Sequence, residues 1–225
     1  MHTTPENKIM NTCKPTELFD ALLRKPKESA TGLATEPTRS SMLWFASAAL
    51  GSMALYGLVL GLFTGGTQIW AAPLKLTIGL LFAALICFPS LCILGALAGS
   101  EASPRGNLAV LCGGLALCGL LLLGFAPVLW VFSQSTESLG FFGFLGIAIW
   151  LASVVQGLGF IMRGLKGTTA RGFAPLTLWA AVFLLVAMQM TSALRPIIGT
   201  SKTLLPTQKM FFIEHWMNAS TDTRK

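Results

Sequence analysis

The chain has 225 residues, of which 53% are apolar and 11% charged, against about 25% charged in a typical soluble domain. Net charge is +7 and mean hydropathy is +0.69. This balance excludes an ordinary soluble globular domain, and no basic cluster is interleaved with aromatics as a nucleic-acid partner would require.

Residues 1–15 are polar and aperiodic, and disorder is expected there. Thr16–Lys25 reads as a short helix with Leu18, Phe19, Leu22 and Leu23 on one face. Pro26 is expected to stop it, and the cations Arg24, Lys25 and Lys27 follow. Such a helix suits either an anionic membrane surface or the protein's own loops. Glu28–Ser41 reads as a flexible linker. The first 41 residues lack an apolar h-region, so a cleavable signal peptide is not expected.

Five charge-free apolar stretches follow: Met42–Phe63, Leu76–Gly99, Leu108–Phe132, Phe141–Met162 and Leu176–Leu194. Each is at or near the roughly 20 residues an α-helix needs to cross a bilayer. The expected fold is therefore all-α: a polytopic transmembrane bundle of five spans (42–63, 76–99, 108–132, 141–162, 176–194). A tail of residues 1–41 precedes it, residues 195–225 follow, and each tail carries a short amphipathic helix. The second of these is placed over Thr207–Met217. An odd span count puts the tails on opposite sides. Ten Lys and Arg residues then fall on the N-terminal side and six on the other. The positive-inside rule makes the N-terminus cytoplasmic and the C-terminus external. Trp44, Trp130 and Trp179 fall near span ends, as interfacial anchors do. Trp70 falls in the first outer loop with Lys75. Trp150 falls mid-span as a packing or lipid-facing ring.

Gly57-x-x-x-Gly61 and Gly95-x-x-x-Gly99 match the small-residue motif that lets helix backbones approach, within one subunit or between copies. Pro89 and Pro127 interrupt spans, and each frees a carbonyl four residues earlier. Gln156 and Gln189 are candidate intramembrane polar contacts, with Ser153 and Ser192 one turn away. They act as interhelical glue or line a solute cavity. Arg195, just before Pro196, reads as an interface anchor that reaches phosphates or the carbonyls ending the last span.

No catalytic residue, metal site or cofactor is expected. The only histidines, His2 and His215, lie in the tails, and Cys87, Cys92, Cys112 and Cys118 read as small apolar packing residues. Thr64-Gly65-Gly66-Thr67 lacks the lysine and preceding strand of a phosphate loop.

Three stretches, Ile69–Leu91 (IWAAPLKLTIGLLFAALICFPSL), Gly124–Ser138 (GFAPVLWVFSQSTES) and Gln189–Gly199 (QMTSALRPIIG), resemble segments of an uncharacterised family of bacterial multi-pass membrane proteins. The resemblance covers most of the chain and implies no activity and no site residues. The layout alone is similar to that of Yip-type trafficking proteins, which also have a cytoplasmic N-tail, five spans and a short outer C-tail. The expectation is a non-catalytic assembly, scaffold or accessory subunit, partnered by membrane lipids and by other membrane subunits or its own copies. The alternative is a small transporter or channel for a neutral or lipidic solute.

Overall fold

The computed structural model describes residues 15–64, 68–135, 139–166 and 173–193. Every regular element among them is an α-helix: α1 Pro15–Arg24, α2 Pro26–Thr35, α3 Arg39–Thr64, α4 Gln68–Leu97, α5 Pro104–Ser135, α6 Leu139–Gly164 and α7 Phe173–Ala193. Helices α3 to α6 are each long and apolar enough to cross a membrane, and α7 carries a shorter apolar segment, Ala174–Met190. The second tail helix expected at Thr207–Met217 and the anchor Arg195 lie outside the described residues.

Two boundaries differ from the sequence reading. Pro26 does not simply end α1: it opens α2, where the first turn tolerates a residue without an N–H. The stretch read as a linker from Glu28 is therefore mostly helix. Ser29, Ala30, Leu33 and Ala34 form its buried stripe at i, i+1, i+4 and i+5. The second difference is at α4, which starts eight residues before the expected Leu76. It takes Trp70, Pro73 and Lys75 out of the presumed loop. Ala71 and Ala72 are buried there, so packing carries the helix through a proline and a lysine that read as breakers in sequence.

The other end of α4 is set by local chemistry. Gly99 has φ of 81°, a left-handed conformation that glycine adopts at no steric cost. Its N–H donates to the Ala96 carbonyl (3.0 Å), and the Ser100 N–H donates to the Gly95 carbonyl (3.0 Å), a Schellman closure. Ser103 then caps α5, its Oγ accepting from the Gly106 N–H at 3.1 Å, with Pro104 at the first helical position.

Helices α3, α4, α7, α6 and α5 form a ring in that order, closed loosely between α7 and α6. The 32-residue α5 is its hub, packing on α3, on α6 and on α2. Glycines make these contacts possible. On α5, Gly119 lies against the Ala49 carbonyl and Ser52 of α3, Gly114 against Gly157 and Ile161 of α6, and Gly106 against the Ala34 carbonyl of α2. On α6, Gly164 meets the Ala30 carbonyl of α2. A Cβ at any of these positions would collide with a neighbour, often with its backbone. On α1, Leu22 is fully buried, and Phe19 meets Phe45 of α3 edge-on, with ring centroids 6.1 Å apart. The apolar face of α1 is thus spent, at least through Phe19 and Leu22, on the protein itself.

Glycine position, not glycine content, should therefore govern stability. Gly157→Leu is expected to lower the melting temperature of purified protein sharply, because the Gly114 carbonyl cannot retreat. Gly51→Ala, where nothing lies within 4 Å of the new methyl, should be neutral or gain up to about 1 kcal/mol in helix propensity. Equal effects of the two in thermal melts would refute the packing argument.

Candidate functional site

Among the described residues, a few buried polar groups sit inside the ring. Tyr56 of α3 is fully buried, and its hydroxyl donates to the Gly146 carbonyl of α6 at 3.2 Å. Trp179 of α7, also fully buried, donates its indole N–H to the Cys87 carbonyl of α4 at 3.0 Å. The interfacial role expected of Trp179 is therefore replaced by an interhelical bond. Trp44 and Trp130 remain about half exposed. Cys87 also accepts from Ser90 Oγ at 2.8 Å, two residues before Pro89. Both interhelical bonds use a side-chain donor and a backbone acceptor, since a carbonyl keeps a second lone pair after its helical bond.

The glycines singled out in the sequence separate into different roles. Gly57 backs directly onto Pro73 and closes the α3–α4 hairpin within the chain. Gly61 is buried. Gly95 has nothing within 4 Å of its missing side chain, and Gly99 serves the turn that ends α4. Gln156 is exposed on α6, while Gln189 is half-buried on α7. The hydroxyl of Ser153 donates to the Ile149 carbonyl of its own helix at 2.9 Å and crosses to no neighbour. Trp150 of α6 is 7% exposed, and its Nε1 finds no acceptor among the described residues; Thr77 Oγ1 and Asn107 Oδ1 are likewise buried and without a partner among them.

Sequence reading missed Lys75. Placed in a loop, it left the spans free of ionisable groups; the structure puts it inside α4 at 7% exposure. Antiparallel helices advance about 1.5 Å per residue. Counting from the Trp179–Cys87 bond, Lys75 shares its depth with the last turns of α7, close to Gln189. The side chain of a helical residue leans toward the helix N-terminus, here the nearby Gln68 end, which suits snorkelling toward the interface. Nothing in the composition marked Lys75 as intramembrane, because a lysine two residues after a proline reads as a loop.

The cavity between Leu80, Gly114, Cys118, Val154, Gly157 and Phe183 holds about 10 Å³ and is apolar, little more than one water molecule would occupy. A cleft of about 280 Å³ opens instead at the far end of α3 and α5, lined by Leu62, Trp130, Ser133 and Gln134. Its polar groups are tied to one another, Gln134 Nε2 to Ser133 Oγ (3.3 Å) and Ser133 Oγ to the Trp130 carbonyl (2.6 Å). Among the described residues, no group of three or more His, Cys, Asp or Glu side chains comes together to hold a metal ion. No family model matches this chain, and neither a curated protein nor a solved structure is significantly similar to it.

The buried bonds and the glycine contacts should differ in weight. Tyr56→Phe removes only a hydroxyl and is expected to cost about 0.6 kcal/mol, the average for such bonds in a bilayer. Gly57→Leu forces α3 off the Pro73 backbone and should cost several times more. Steric-trap or denaturant unfolding of both variants in the same detergent checks the ranking; a larger loss at Tyr56 would overturn it.

Proposed function

We propose that the protein is a non-catalytic integral membrane protein that acts as an assembly, scaffold or accessory subunit of a membrane complex. In this reading α3 to α7 are five spans, the N-terminus is cytoplasmic and the C-terminus external, in a bacterial inner membrane. The single observation that carries the reading is close helix packing: at Gly57, Gly114, Gly119 and Gly157 a neighbouring helix takes the place of the missing side chain, and the cavity between Gly114 and Gly157 holds about 10 Å³. A closed bundle has its lipid-facing and end surfaces left for recognition. Those surfaces carry large exposed apolar side chains such as Leu81, Phe82, Leu85 and Ile93 of α4.

A small transporter is the second reading, and one observation favours it. Ionisable groups within spanning helices are costly and usually functional, and Lys75 is both inside α4 and buried. The solute would be small and would pass only after the helices part at Pro89 or Pro127.

Purification from native membranes decides between them. A stoichiometric membrane-protein partner is expected, and flux of solute through liposomes holding the protein alone would replace the first reading with the second. Alkaline phosphatase fused after Lys225 should be active and fused after Arg39 inactive; agreement between the two fusions would reject an odd number of spans.

A further inference from the structure

We infer that the cleft between the ends of α3 and α5 binds the primary ammonium of a zwitterionic lipid headgroup, with Trp130 and Gln134 as its contacts. The site presupposes that both helices span the bilayer, as proposed above. Ala49 and Ser52 of α3 lie against Gly119 of α5. Further along both helices, Leu62 shares the cleft of about 280 Å³ with Trp130, Ser133 and Gln134. The two helices therefore run parallel, and both C-termini stand at the cleft, α3 ending at Thr64 and α5 at Ser135. A C-terminal turn leaves carbonyls without an intrahelical donor and carries roughly half a negative charge. Two such ends side by side repel one another, and a cation between them offsets the repulsion. Neither helix supplies that cation. No basic residue stands in the last turn of α3 or of α5, whereas α6 has Arg163 in its own.

The side chains at the cleft set the kind of cation. The four lining residues are all uncharged. The Ser133 hydroxyl donates to the Trp130 carbonyl at 2.6 Å, and Gln134 Nε2 donates to Ser133 Oγ at 3.3 Å. These bonds spend the hydroxyl proton and one amide proton within the protein and leave Gln134 Oε1 as an acceptor. Trp130, about half exposed, brings the ring type that attracts cations best. The cleft has the volume of about nine waters at roughly 30 Å³ each, enough for an aminoethyl group. Oxygen acceptors favour an ammonium that keeps its N–H donors over a quaternary one. Depth points to a lipid as the source. The ends of a spanning helix lie at or beyond the edge of the hydrocarbon core, however the helix is shifted along its axis. Leu62 is two residues, or about 3 Å, from the end of α3, so the cleft stands at the level of the headgroups.

The test uses the full chain in nanodiscs of phosphatidylcholine with an increasing fraction of phosphatidylethanolamine, and reads the melting temperature. Phosphatidylethanolamine is expected to raise it by several degrees over pure phosphatidylcholine, whose ammonium has no N–H. The double variant Trp130→Leu, Gln134→Leu should weaken binding about fivefold, read as the lipid fraction that gives half the effect, since one exposed cation–π contact is worth roughly two- to fivefold. Gln134→Glu adds a negative charge and should lower that fraction, a gain that lost packing does not produce. Trp44→Leu, which removes a similarly exposed tryptophan toward the opposite end of α3, should keep the wild-type response. The same response in every variant would make the effect a property of the bilayer and overturn the site. Equal protection by free ethanolamine in detergent would assign the cleft to a soluble amine and overturn the lipid. Should the double variant not fold, wild-type protein and Gln134→Glu decide: no gain from phosphatidylethanolamine, or none from the added charge, would overturn the ammonium site. The phosphatase fusions report the spans independently, so the topology and the site fail separately.

Discussion

Two apolar helices in a bilayer gain nothing by leaving lipid for one another, so their attraction depends on how closely their backbones approach. In this protein that approach is made at glycine. The Ala49 carbonyl at Gly119, the Ala34 carbonyl at Gly106, the Ala30 carbonyl at Gly164 and the Gly114 carbonyl at Gly157 all point where a side chain would otherwise stand. A Cα–H directed at a carbonyl contributes about 0.5–1 kcal/mol, and dispersion between the touching backbones adds to it. The contacts converge on α5, and from that helix the positions of α2, α3 and α6 follow.

The same device recruits the polar N-terminal segment. Neither α1 nor α2 is apolar enough to be held by the bilayer alone, yet Leu22, Ala30 and Leu33 are fully buried. Gly164 and Gly113 provide the space for Ala30 and Leu33, and Gly106 for Ala34. Gly106 and Gly113 are seven residues apart, as are Gly157 and Gly164, the spacing that keeps two positions on one helix face. The exposed ion pairs of this segment, Arg24–Asp20 at 2.7 Å and Lys25–Glu28 at 3.0 Å, add little, since water screens them. Apolar burial and glycine fit hold the hairpin.

Polar groups inside the ring follow a different economy. Tyr56 and Trp179 each reach a carbonyl of another helix, so two fully buried aromatic donors stitch α3 to α6 and α7 to α4. Serines at 52, 90 and 153 bond back to their own helices and do not link neighbours. The interhelical glue expected from Gln156 is thus supplied in the observed bonds by aromatic donors. Aromatic side chains carry the apolar area a buried site needs together with one polar atom, whereas an amide must satisfy four hydrogen-bonding positions.

The sequence by itself determined that the chain is helical and membrane-like, because charge-free apolar runs of this length have few other outcomes. It located the cores of α3, α5 and α6 within a few residues of where they stand, and the helix at α1. It also carried the stop at Gly99, which local backbone geometry alone requires. Tertiary structure decided what depends on neighbours. Helix α2 forms because α5 and α6 offer glycine-lined space to its four small or apolar residues. Helix α4 runs eight residues further because packing outweighs Pro73 and Lys75. Of 23 glycines, spacing alone picked out Gly57, Gly61, Gly95 and Gly99; Gly57 does face a backbone, but so do Gly106, Gly114, Gly119, Gly157 and Gly164, which spacing did not single out. A glycine shows in sequence only that a side chain is missing; the helix opposite determines whether that gap is filled.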